Sequence, residues 1–456
     1  MTAVKHQISA ALAKGVAVLH WLDAFATAHH TAIIWSCGLL YKLALDAMYV
    51  WAAYPTFSYG GLIYQPNSFK YLLSNVLYVL IFAYLPKQEK DTAGFLLNLQ
   101  FAFTVAPMLT VYALVNHSTL YMIAVFCCVM LQIYIIRRPR TGSGQVHIKG
   151  IRNYVTVALG VLVIFAVSVP ILYNGFDGLK AFDFSRVYEI RERVSYPAGF
   201  EYIQSWIANV VLPFAVLMFV VRKKYLWCAV CFAMQVLMFL ESGRKLYLLI
   251  LFPMLFVYLF AKSGHLLKLM YAGLMILSFL TAFCCHLDYS QHLWFGEFLA
   301  ALVAVRALLG PAHNKFLYYK CFSQYPKILF SDGQIGKMLG LTYPYAGGSG
   351  QVIYAYDGGE FMVSNSCTGY LGDSYAQMGF LGLLLMSLLF AFVIRSIQSY
   401  DNKKNFELLT ALFTVYIIIL NDASLFTTLF SGGMLLAYLL VFIYLSHGSK
   451  GADNGI

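Results

Sequence analysis

Charge is what this 456-residue sequence has least of. Charged residues make up 11% of it, where an ordinary soluble domain carries about a quarter. Acidic residues are the scarcer kind, 20 against 31 lysines and arginines, which leaves a formal net charge of +11. So low a charge density excludes an ordinary cytosolic enzyme, a disordered tail and a secreted disulfide scaffold. No phosphate loop, dinucleotide fingerprint or Ser/His/Asp grouping is present, and Ala346-Gly347-Gly348-Ser349-Gly350 reads as a turn because no Lys-Ser/Thr follows it. No set of side chains stands at metal-ligand spacing. The nearest approach is a loose gathering of Cys284, Cys285, His286, Asp288 and His292, so neither metal nor cofactor is expected. The nine cysteines make no framework either. Seven lie in apolar runs, where thiols pack as small hydrophobes, and only Cys321 and Cys367 share a polar segment in which a bond between them is conceivable.

What is present is apolar surface: 61% of the residues are hydrophobic, gathered in long runs rather than alternating. A bilayer core needs about 20 apolar residues per helix, and backbone groups in lipid must be satisfied within the segment. The runs therefore predict an all-α polytopic membrane protein of about twelve transmembrane helices, over 32–53, 69–86, 95–116, 119–136, 154–173, 204–221, 225–241, 246–261, 269–286, 373–394, 406–421 and 424–446. Residues 1–30 lack the cleavage site of a signal peptide and read as an amphipathic segment on the membrane surface.

The basic residues orient this array. Arg137, Arg138, Arg140, Lys149 and Arg152 occupy one loop, and Arg222, Lys223 and Lys224 a second. Lys262 and Lys268 flank a third turn, with Arg395, Lys403 and Lys404 in a fourth loop. With alternating helices all four fall on one side, together with both termini, and the positive-inside rule makes that side cytoplasmic. These segments account for the whole positive excess, so the charge sets topology and does not imply nucleic acid as a partner. The resulting plan is a cytoplasmic N-terminus (1–30), a first bundle (31–173), an outer loop (174–203), central helices (204–286), a large outer loop (287–372), C-terminal helices (373–446) and a cytoplasmic tail (447–456).

Long loops without a role are uncommon, so the chemistry is expected in the two outer ones. The first carries Arg186, Arg191 and Arg193 interleaved with Glu189 and Glu192. It reads either as a solvated, self-paired helix or as an anion site, since the guanidinium fork matches phosphate oxygens. In the second, Arg306 sits on an apolar flank, where a part-buried cation wants an anionic partner. His313 follows Pro311 and is either structural or a general base. Tyr318 and Tyr319 are candidates to stack on sugars, or simply interfacial aromatics. Arg244, in the turn Glu241-Ser242-Gly243-Arg244-Lys245, either snorkels or faces the same cavity as Arg306. Asn365 and Asp373 belong to a polar patch leading into a long apolar helix. There Asp373 either complements the helix N-terminus or orients an acceptor hydroxyl.

These residues, in this order, resemble the Wzy-type O-antigen polymerases, the oligosaccharide repeat-unit polymerase family. The shared elements are Asn174-Gly175-Phe176-Asp177-Gly178-Leu179, then Phe182-Asp183-Phe184-Ser185 before the arginine-bearing loop, and the Ser242-Gly243-Arg244-Lys245 turn. They continue through Arg306 with Pro311, Asn314 and Tyr318-Tyr319, to Asn365 and Gly372-Asp373-Ser374-Tyr375-Ala376-Gln377-Met378-Gly379. The likeness covers roughly 170–395; earlier residues share only hydropathy. One subgroup has a glycine ten residues after an arginine in both loops, a spacing absent here. The resemblance implies a fold similar to the metal-independent membrane glycosyltransferases that include the O-antigen ligases, in the bacterial inner membrane with periplasmic outer loops. It also implies an activity: transfer of a growing glycan from undecaprenyl pyrophosphate onto a new lipid-linked repeat unit. The implied partners are undecaprenyl-pyrophosphate-linked oligosaccharides, membrane lipid and a chain-length regulator of the Wzz type. Carried over, Arg191, Arg193 and Arg306 would hold pyrophosphate, with Arg186 and Arg244 as further candidates. His313, Glu192 and Asp373 are the candidate bases, His313 first on its ordinary pKa. Tyr318, Tyr319 and Asn365 would meet sugar. The rival readings are an O-antigen ligase and a lipid-linked oligosaccharide flippase or other transporter.

Overall fold

A computed structural model describes residues 23–138, 151–174, 196, 197, 199–242, 244–291, 294–333, 336, 338–360, 365–401 and 405–445. Among them there is no strand. Nine helices among the described residues are long and apolar enough to cross a membrane. They are α1 (His30–Gly60), α3 (Thr92–Leu114), α4 (Thr119–Arg137), α5 (Arg152–Leu172), α6 (Phe200–Val221), α9 (Leu266–Leu287), α10 (Phe295–Gln324), α12 (Tyr370–Gln398) and α14 (Leu425–Leu445). Four shorter apolar helices stand among them: α2 (Ser68–Tyr84), α7 (Tyr225–Leu240), α8 (Tyr247–Ala261) and α13 (Phe406–Ile419). A short polar helix, α11 (Ser349–Tyr356), precedes α12. The architecture is that of a polytopic membrane protein. The predicted apolar runs are largely helical, because a segment in lipid must close its own backbone hydrogen bonds; the runs over 373–394 and 424–446 are interrupted, at Met378-Gly379 and between Leu429 and Met434.

Burial sorts the helices. Every residue of α3 except Phe103 is buried, as is every position of α13 from Phe406 to Ile417 except Glu407, and a helix apolar all round belongs at the centre of a bundle. Large side chains such as Phe252, Phe256 and Leu259 of α8 stand exposed on the outside, where acyl chains would cover them. Polar links tie the interior together. Asp46 of α1 accepts from Lys42 (2.5 Å), Thr110 of α3 (2.8 Å) and Tyr71 of α2 (3.1 Å). Gln100 of α3 meets Gln132 of α4 (3.2 Å) and the Tyr370 hydroxyl. A lone charge there would be costly, so Lys42 and Asp46 are buried as a pair, with Thr110 and Tyr71 completing the carboxylate's partners.

The bundle has two distinct ends. At one, His30 bonds the Lys87 carbonyl, Arg137 that of Tyr84, Arg395 that of Ile135 and Lys268 that of Ala26. Three of the four basic turns predicted to lie together, those of Arg137, Lys268 and Arg395, therefore share this end. At the other, Gln65 and Asn67 hydrogen-bond back to the end of α3.

Two elements depart from expectation. First, residues 287–372, expected as a loop, contain α10. Although long enough to cross, α10 meets the same end of the bundle at both extremities. Near its start, the Gly296 carbonyl accepts from Cys285 Sγ, close to the end of α9 (3.0 Å). Just past its finish, the Ile328 amide donates to Ala376 (3.0 Å). Between these points α10 packs on α1 and α3, so it lies across the face of the bundle. Residues Ala300–Leu309 of it are π-helical, and the change to α-helix falls at Gly310, where a Cβ would sit 2.2 Å from the Val305 carbonyl oxygen.

Second, α12 is not one straight span. Met378 and Gly379 leave helical geometry, the latter at φ 64°. The Tyr370 ring stacks on Phe390 with centroids 5.5 Å apart, whereas twenty residues of straight helix cover about 30 Å. Tyr370–Gln377 is therefore a half-helix folded back against the arm 380–398. Its last carbonyls, Ala376 and Gln377, accept from the amides of Ile328 and Leu329 (3.0 Å each). The span expected over 373–394 is thus a hairpin whose crossing arm begins after Gly379.

Candidate functional site

The end of the bundle opposite the basic turns carries the site. His313, on α10, is 4% exposed. Its Nδ1 lies 3.1 Å from Nε2 of His117, which occupies the short turn between α3 and α4. The His117 ring stacks flat on Phe316, centroids 4.5 Å apart. His313 Nε2 is buried and has no hydrogen-bond partner among the described residues. It faces Gly61 (φ 80°), where a Cβ would sit 2.7 Å from Nε2 and 3.3 Å from Asp357 Oδ1. A glycine thus keeps open a small cradle between an imidazole nitrogen and a carboxylate.

Burial pushes His117 well below its ordinary 6.5, helped by His313, Lys70 and Lys320. His117 is therefore neutral at pH 7, and the two rings share one proton along their contact. When His313 Nδ1 donates it, His313 Nε2 presents a lone pair to the cradle; in the other tautomer Nε2 carries hydrogen.

Seven residues before His313 on the same helix is Arg306. It is exposed rather than part-buried, and it has no hydrogen-bond or ion-pair partner among the described residues. Its position in the π-helical stretch moves it out of the register that packs Val303, Ala304, Leu308 and Leu309 inward. Such stretches are frequent at functional sites.

Beside this pair lies a buried cation the sequence reading passed over. Lys315 is 0% exposed. Its Nζ donates to the Pro311 carbonyl (3.0 Å) and to both the carbonyl and Oδ1 of Asn421 (2.9 and 3.0 Å). Asn421 in turn donates to the Ala307 carbonyl (2.9 Å) and accepts from Thr104 (3.2 Å). A Cβ on Gly369 (φ 63°) would strike the Lys315 side chain at 2.6 Å. The start of the half-helix, α10 and the turn after α13 are pinned together at this one ammonium.

The other expected residues are distributed as follows. Asp373 is buried in the first turn of the half-helix and accepts from Gln377 (3.2 Å); it is bonded to neither His313 nor Arg306. Tyr318 is fully buried, its hydroxyl on Thr368 (3.0 Å), so it has no face to offer a sugar: α10 turns it into the groove beside Gly372. Tyr319 stacks on Tyr121 (4.8 Å) and leans on Tyr375 (4.9 Å), making an aromatic cluster beside the site. Asn365 is exposed near the start of α11, against Gly350. Arg244 pairs with Glu201 (3.2 Å) and reaches the Tyr247 hydroxyl (3.3 Å); no contact joins it to Arg306. Cys321 and Cys367 are both free thiols, and Cys367 Sγ accepts from Asn314 (3.0 Å). Arg186, Arg191, Glu192 and Arg193 lie outside the described residues.

His117, Lys315 and Asp357 are the residues that sequence reasoning missed. His117 stands alone in a turn, 196 positions from its partner, and no spacing rule joins them.

The fold and this site define a polytopic, all-helical membrane protein with a histidine pair beneath one face. Comparison of the chain with known protein families, with curated proteins and with solved structures finds no match.

Proposed function

We propose that the protein is a metal-independent membrane glycosyltransferase of the O-antigen polymerase kind. It joins undecaprenyl-pyrophosphate-linked oligosaccharide units on the periplasmic face of the bacterial inner membrane. In this reading it crosses the membrane about twelve times, with both termini cytoplasmic, and works beside a chain-length regulator of the Wzz type. The observation that carries the proposal is His313, whose buried Nε2 is unpartnered in a cradle, on the same helix as Arg306, which is likewise unpaired among the described residues. An acceptor sugar hydroxyl attacks the anomeric carbon while the bond from that carbon to the pyrophosphate oxygen breaks. Nε2 takes the hydroxyl proton, and the charge that grows on the leaving pyrophosphate is met by a guanidinium already in place.

Incubating the purified protein with a synthetic undecaprenyl-pyrophosphate repeat unit tests this. A ladder of products is expected, reduced about 100-fold or more by His313→Asn or Arg306→Ala. A full ladder from either variant would remove that residue from the mechanism, and no ladder from the parent protein would remove the activity.

A transporter of lipid-linked oligosaccharide is the second reading, favoured by ionisable side chains within the apolar helix α1 (Lys42, Asp46) and by the interrupted α12. Deletion strains separate the readings. Loss of a polymerase leaves single repeat units on the cell surface, loss of a flippase leaves none, and loss of a ligase leaves long glycan on its carrier.

A further inference from the structure

At the basic end, far from His313, α5 stands off from the bundle. Only 17% of its apolar window is buried. Between it and α6, α7 and α14 runs a cleft of about 830 Å³, within the roughly 300–1,000 Å³ typical of ligand sites. Its walls are almost wholly apolar, among them Val163, Phe214 and Met218. On α5 the lining extends from Arg152 to Ile164, a rise of roughly 18 Å, close to the depth of one leaflet of a hydrocarbon core of about 30 Å. Gly160 faces this space, and a Cβ there would meet nothing within 4 Å.

The mouth is cationic. Arg152 and Arg222 both line it, and no carboxylate occurs among the lining residues. The Arg152 guanidinium lies over the Tyr444 ring at 5.2 Å, and the Tyr444 hydroxyl is held 2.6 Å from Thr156 Oγ1. Neither arginine has an ion-pair partner among the described residues. Two guanidinium groups without a carboxylate among the described lining residues, one of them held over Tyr444, above an apolar trench of one-leaflet depth complement a phosphate that carries an acyl chain.

We propose that this cleft binds an anionic phospholipid from the leaflet at the basic end, its phosphate between Arg152 and Arg222 and one acyl chain lying along Gly160. The site is separate from the proposed glycosyl-transfer site and does not depend on it.

Trp227 lines the cleft and serves as its reporter. The full chain is reconstituted in phosphatidylcholine bilayers containing a minor fraction of dibrominated phosphatidylglycerol or, in a parallel arm, dibrominated phosphatidylcholine. The Trp227 signal is the difference in fluorescence quenching between the parent protein and Trp227→Phe. Half-quenching of that signal is expected at a roughly fivefold lower mole fraction of the anionic bromolipid, the scale set by a cation at a membrane surface. Arg152→Gln with Arg222→Gln should bring the two arms together. Gly160→Leu fills the trench and favours helix, and it should abolish the preference with both arginines intact. Equal quenching by the two lipids in the parent protein overturns the proposal. So does a preference that survives Gly160→Leu, which would mark surface attraction without a chain in the cleft. Absence of Trp227 quenching by either lipid also overturns it, leaving the cleft to some other occupant.

Discussion

At the scale of single residues, the interior is organised by polar groups that apolar helices cannot leave unsatisfied. Lys315 is the strongest instance. Its three acceptors come from α10 itself and from Asn421, so Lys315→Met keeps the volume but strands buried oxygens. Resistance to SDS unfolding in mixed micelles should fall by about 2 kcal/mol, and an unchanged midpoint would mean that Asn421 finds other donors. His117 carries a pH dependence. Its folded pKa lies below its unfolded value, so between the two the unfolded chain binds the extra proton. The sign follows: stability is full above the unfolded pKa and is lost as pH falls below about 6.5. His117→Phe preserves the stack on Phe316 and removes this titration. Its unfolding midpoint should therefore fall less steeply from neutral to mildly acidic pH than that of the parent.

At the scale of elements, the hairpin in α12 makes the sharpest demand. A Cβ at Gly382 would sit 2.2 Å from the Ser374 carbonyl oxygen of the facing half-helix, so Gly382→Val should destabilise by about 1–3 kcal/mol. Gly273→Val, on α9 with nothing within 4 Å of its Cβ, is the matched control and should stay close to the parent. The same elements mark how far the sequence could be read. Twelve apolar runs were visible because lipid demands them residue by residue. The fold-back was not, because both arms of α12 are apolar and hydropathy does not register that the chain reverses at Met378-Gly379. The helix α10 was hidden for the opposite reason. Arg306, His313, Asn314, Lys315 and Lys320 interrupt its hydropathy, and Gly310-Pro311 resembles a break. In the fold that dipeptide instead eases the change from π- to α-helix. Of the candidate site, Arg306 and His313 were legible as residue types in a suggestive loop. Their partners were not, since His117 and Gly61 reach His313 only through the packing of α10 on the bundle.

For the molecule as a whole, α10 runs across one end of the bundle, and this reaches beyond the site. Helices upright in a bilayer absorb amide I light with their transition moments along the membrane normal, and a helix in the plane contributes with opposite sign. Polarised infrared spectra of oriented films should therefore give a lower helical dichroism than upright helices alone would produce. With a single isotope-labelled carbonyl near the middle of α10, the shifted band should be strongest with the field in the membrane plane; a band strongest along the normal would stand α10 upright. The same orientation makes α10 a beam spanning α9, α1, α3, α4 and α12, so a small rotation about its long axis would carry Arg306 and His313 through the same arc at once.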